Sequence, residues 1–186
     1  MALDSNRYYK VLSPRFTPGY ALRQYGGICT GCRKQAADDL SAGRLEELAA
    51  RIANATTQDR EHIVNGVIEA IFDEVRPRDP LHPSRLRTVH VFRDIESALT
   101  FRARWRPPSY RIYVVAHEGM YRHDSYMDWT NHTPVVPTGI DEAVRSLRND
   151  AAEYWRGSRP TFTAPNQPLT ESLLSPSVRV VEALNV

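Results

Sequence analysis

Apolar residues fall into short alternating runs separated by longer helical stripes. Arg7-Tyr8-Tyr9-Lys10-Val11-Leu12 reads as a strand ended by Ser13-Pro14. Pro14, Pro18, Gly19, Gly26 and Gly27 then make a loop long enough to suggest a functional role. Leu40, Leu45, Leu48 and Ile52 mark a helix from Arg33 to Ala53. A second helix starts at Gln58 behind a Thr57 cap. It carries Ile63, Val67, Ile71 and Val75 on one row, and Val64, Ile68 and Phe72 on the next, and stops before Arg76-Pro77-Arg78-Asp79-Pro80. Leu86 to Phe92 is β-rich, and Asp94 is placed to cap a helix from Ile95 to Arg104 that ends at Arg106-Pro107-Pro108.

The run Ser109 to Asp124 is the centre of the pattern: a β-branched and aromatic strand that turns at Gly119 and delivers ionisable groups to one rim. Ser125 to Pro137 reads as loop. Thr138-Gly139-Ile140-Asp141 resembles a capping box opening a helix with Ile140, Val144, Leu147, Ala151, Tyr154 and Trp155 on one face and Gly157 as its stop. A last β segment, Glu171 to Leu174 through Ser177 to Leu184, closes the pattern. Strands and helices are segregated, which predicts an α+β fold with antiparallel or mixed pairing.

The 186 residues predict a single domain able to bury a core without staples. A net charge of +2 gives no strong field for nucleic acid or an anionic membrane. The longest apolar run, Ile112 to Ala116, is far short of a membrane span, and no signal-like segment opens the sequence, so the expectation is a cytoplasmic protein, or one delivered without a cleavable signal. Of 24 basic residues 22 are arginines, a bias that fits a GC-rich genome as well as it fits phosphate recognition. Cys29 and Cys32 form a CxxC without a second cysteine pair, which leaves plain thiols, a metal site completed by histidines, or redox chemistry open.

Three segments, in order, resemble landmarks of the ADP-ribosyltransferase superfamily: Tyr8-Tyr9-Lys10-Val11, Val89-His90-Val91-Phe92 with its helix to Phe101, and Leu169-Thr170-Glu171 through Val180. Arg111 to Asp124 is also similar to the central strand of the small rifampin ADP-ribosyltransferases, whose acidic catalytic residue stands where Asp124 does. The resemblance implies an ADP-ribosyltransferase-like split sheet, mixed or antiparallel, with the helical stretch 33–76 as an insertion. It further implies NAD as substrate, with Tyr9 or Lys10 orienting it, Phe92 and Tyr121 sandwiching the nicotinamide, and Arg122 reaching a phosphate. Lys10 stands where the superfamily has His or Arg, and Phe92 where many members have Tyr.

Breaking the nicotinamide–ribose bond builds positive charge on the sugar, so a carboxylate must sit beside it. Glu171 is one candidate and Asp124 the rival. The resemblance implies transfer of ADP-ribose to an unidentified acceptor by a monomer or small homo-oligomer. An inactive module that binds NAD or another nucleotide, and an interaction protein docking through the helix from Gln58 to Val75, are the alternatives.

Overall fold

The computed structural model describes residues 7–22, 31–119, 122–162, 168–175 and 177–186. Its elements run β1 (Arg7–Leu12), β2 (Ala21–Leu22), α1 (Gly31–Ser41), α2 (Leu45–Asn54), α3 (Thr57–Val75), a 3₁₀ turn (Arg85–Arg87), β3 (Val89–Val91), α4 (Ile95–Trp105), β4 (Arg111–His117), β5 (Arg122–Tyr126), a second 3₁₀ turn (Met127–Asn131), α5 (Ile140–Arg156), β6 (Thr170–Leu174) and β7 (Val178–Ala183). The fold is α+β. One sheet has the order β1-β4-β7-β2 and the other β3-β6-β5, and all neighbours are antiparallel. A bridge between Tyr9 and Phe92 joins them, with Tyr9 N–H donating to the Phe92 carbonyl at 2.7 Å and the reverse bond at 2.8 Å.

Three apolar clusters follow from the period-2 and period-3.6 patterns. Tyr8, Leu12, Tyr113, Val115, Val178 and Val180 of the larger sheet meet Val89, Val91 and Leu174 of the smaller one. The opposite face of the first sheet, through Val11 and Ile112, packs on Ala98 and Phe101 of α4. Leu173 turns instead to a helical layer holding Leu48, Ile63, Val67, Ile71, Phe72, Leu147 and Tyr154. No helix among the described residues is long and apolar enough to cross a membrane.

Several expectations change in detail. The helix expected over Arg33 to Ala53 is two helices, because Gly43 adopts φ 70° between them, a left-handed conformation that favours glycine. Thr56 rather than Thr57 caps α3, accepting from Asp59 N–H at 3.2 Å. The capping box before α5 does not form: Gly139 at φ 81° is the cap, with no side-chain bond. Asp94 does cap α4, accepting from Ser97 N–H at 2.7 Å. Most consequentially, part of the loop expected after Asp124 is β5, a polar strand that exists by pairing with β6.

Candidate functional site

Glu171 lies on β6, the central strand of the smaller sheet, and is 1% exposed. Register decides what it faces. Its partner across β5 is Ser125, whereas Asp124 pairs with Ser172. Side chains alternate between the faces of a strand, so Glu171 and Asp124 point to opposite sides of the sheet. Ser125 Oγ accordingly donates to the Tyr154 carbonyl on the helical side at 2.5 Å, while Ser172 Oγ donates to Asp124 Oδ1 at 2.5 Å and Arg93 reaches Asp124 Oδ2 at 3.3 Å. On β3, His90 lies opposite Leu173. The same alternation turns His90 and Phe92 to the Glu171 side.

A buried carboxylate needs partners, and Glu171 has three. The proline-rich crossing and 3₁₀ turn bring Arg85 into the core at 4% exposure. Its guanidinium forks onto Glu69 of α3, with Nε and one terminal nitrogen each 3.0 Å from a carboxylate oxygen. The other terminal nitrogen donates to Glu171 Oε1 and, at 2.6 Å, to the Tyr154 hydroxyl, which itself donates to Glu171 Oε1 at 2.9 Å. His90 places Nδ1 3.2 Å from Glu171 Oε2 and Nε2 3.1 Å from the Arg85 carbonyl, so both nitrogens face acceptors.

The electrostatics follow from this packing. Burial alone would raise the Glu171 pKa, but Arg85 and then His90 outweigh it and hold the carboxyl well below its usual range. Glu69 is likewise lowered, because Arg85 overcomes its burial. Burial and the neighbouring Glu171 raise the Tyr154 phenol well above its ordinary value, so it stays a donor.

Beside this network opens a cavity of about 400 Å³, lined in part by Lys10, His90, Phe92, Arg106 and Glu171. That size is ordinary for a small-ligand pocket. Arg33, Glu61, Asn65 and Gly66 of α1 and α3 form another wall, so the helical stretch closes the site. Lys10 reaches across from β1 and donates Nζ–H to the His90 carbonyl. Burial first, and then Arg106, lower its pKa from 10.5 to about 8, against an opposing pull from Glu171. Phe92 is 5% exposed and packs on Phe101 with ring centroids 5.1 Å apart.

Of the residues singled out from the sequence, Lys10, Phe92 and Glu171 thus meet at one cavity. Tyr9 adjoins it through its backbone bridge to Phe92. Asp124 faces away. Tyr121 and Cys29 lie outside the described residues, as does the side chain of Arg122. Cys32 sits in the first turn of α1 with Sγ 3.9 Å from Asp59 Oδ1, and no grouping of three His, Cys, Asp or Glu suited to a metal occurs among the described residues. Arg85, Glu69 and Tyr154 escape a reading of the sequence. The one trace was a phenol in the otherwise apolar stripe of α5, since a buried Tyr hydroxyl usually finds a polar partner. No known protein family, curated protein or solved structure matches the chain.

Proposed function

We propose that the cavity binds NAD and that the protein is an ADP-ribosyltransferase of the split-sheet type, releasing nicotinamide and passing ADP-ribose to an acceptor. The observation that carries this reading is the convergence of Lys10, Phe92 and Glu171 on one cavity, from segments far apart in the sequence. Two antiparallel sheets joined through the Tyr9–Phe92 bridge are in keeping with it. So is a carboxylate held ionised by its neighbours.

The chemistry asks one thing of Glu171: negative charge beside a ribose that turns cationic as its bond to nicotinamide breaks. A carboxylate offers about four lone-pair directions. Arg85 and Tyr154 take two on Oε1, and His90 takes one on Oε2. One direction remains for a ribose hydroxyl. Phe92 supplies an apolar ring edge for the departing base, and Lys10 a point charge for the dinucleotide. The acceptor's nucleophile then bonds to the anomeric carbon, and the nicotinamide leaves with the electron pair of the broken bond. Asp124, on the opposite face, has no part in this step.

Incubation with NAD labelled in each half, followed by chromatography of nicotinamide and of labelled acceptors, tests the proposal. Glu171→Gln should lower nicotinamide release by about 10² to 10³ or more. Equal release by the two proteins rejects the assignment. A second reading, a nucleotide-binding module without turnover, is favoured by the three contacts that Glu171 already makes with its own neighbours. Thermal stabilisation by NAD with no nicotinamide released would select it.

A further inference from the structure

Among 24 basic residues this chain uses lysine twice, at Lys10 and Lys34. The chemical difference that matters in a buried place is that an ammonium can release its proton and a guanidinium does not. The two lysines occupy opposite settings. Lys34 is exposed on α1, whereas Lys10 is partly buried and presents its amine to the cavity. One N–H is fixed on the His90 carbonyl, which orients the nitrogen without neutralising it. The charged groups acting on it are Arg106, which follows α4, and Glu171. Glu171 is already held by Arg85, Tyr154 and His90, and Arg85 is itself forked onto Glu69. Arg106 forms no ion pair with a carboxylate among the described residues, and its guanidinium lies 5.0 Å over the Phe101 ring at the same cavity. A lysine both desolvated and beside a second cation is the arrangement that makes an amine nucleophilic near neutral pH.

We propose that Lys10 is a nucleophilic amine, and that the cavity takes a small aldehyde or ketone carrying an anionic group, captured by Lys10 as an imine while Arg106 holds the anion. The nitrogen lone pair attacks the carbonyl carbon to give a carbinolamine. The carbonyl oxygen then departs as water with the two amine hydrogens, and a C=N bond remains, with no net oxidation or reduction. Phe92, Phe101 and Trp105 line the cavity with apolar surface that shields such an imine from water. This activity stands apart from NAD turnover, and its test does not read that turnover.

Pyridoxal 5′-phosphate, an aromatic aldehyde with a phosphate, and pyridine-4-carboxaldehyde, its neutral counterpart, are the probes. The full chain is treated with each from pH 6 to 10, reduced with borohydride and mapped by peptide mass spectrometry, with Lys34 and the α-amino group as internal controls. At pH 8 Lys10 should be labelled at least about tenfold faster than Lys34. Its rate should reach half its maximum near the value of about 8 to which the amine is lowered. Arg106→Gln should slow capture of both probes near neutral pH, because Lys10 loses its neighbouring cation, and slow the phosphorylated one by the larger factor, and Lys10→Arg should remove the adduct. Labelling of Lys34 as fast as Lys10, or a Lys10 midpoint at the ordinary lysine value, would overturn the proposal. So would an Arg106→Gln variant that captures both probes as the wild type does. The wild-type map alone decides reactivity, so a poorly folding variant does not rescue the idea.

Discussion

Arg85 is the residue on which the site depends, because its guanidinium bridges two acids, Glu69 and Glu171, that would otherwise repel each other. Removing one partner of a buried ion network leaves the rest uncompensated, at about 3–5 kcal/mol. Arg85→Met should lose that much stability at pH 7, measured by urea denaturation. The pH dependence should also reverse. In the wild type Glu69 and Glu171 are held below 4.5, so their contribution is full above that value and fades as pH falls beneath it. In Arg85→Met burial dominates and the carboxyl pKa rises, so the folded state binds the extra proton and the variant should be more stable at pH 5 than at pH 7. His123 has the opposite sign. Its Nε2 is buried without a hydrogen-bond partner, its ring lies 5.0 Å from His82 and 5.1 Å from Trp155, and burial followed by His82 lowers its pKa from 6.5. The unfolded chain therefore takes up its proton first, and stability should decline as pH falls below 6.5. His123→Phe should flatten that decline in urea midpoints collected between pH 5 and 7.5. At this scale Lys10, Phe92 and Glu171 are legible because each falls in a segment that resembles an ADP-ribosyltransferase landmark. It conceals Arg85 and Glu69, since an ion pair between distant segments leaves no periodic trace.

Among the elements, strongly periodic helices are the legible ones. The buried rows of α3 and α5 are the apolar rows of the sequence, and Asp94 and Gly157 mark boundaries by ordinary capping physics. β5 is not legible, because Arg122-His123-Asp124-Ser125-Tyr126 carries no apolar alternation and owes its conformation to β6. Neither is the two-residue β2. One contact between helices bears directly on the cavity: a Cβ added at Gly66 of α3 would lie 2.9 Å from both Cα and the carbonyl oxygen of Arg33 on α1. Gly→Ala within a helix normally favours folding by about 1 kcal/mol. Here backbone stands in the way, and overpacking of this kind costs about 1–3 kcal/mol. Gly66→Ala should therefore lower the melting temperature and loosen ligand binding by displacing α1, in contrast to its usual effect; a raised melting temperature would show that α1 shifts without cost.

For the whole molecule, segregation of strands from helices is enough to reach α+β, and the layering follows once each strand's two faces are assigned. The cavity is a different matter. Its walls come from β1, the α1 and α3 helices, the turn at Arg85, β3, α4 and β6, and only the closed fold brings them together. β6 is the middle strand of one sheet, β7 lies between β4 and β2 in the other, and both are made after every other strand. As the chain leaves the ribosome, β3 and β5 have no common neighbour and the acid at 171 does not yet exist. The cavity is consequently incomplete until β6 and β7, the last two described strands, have each entered their separate sheets.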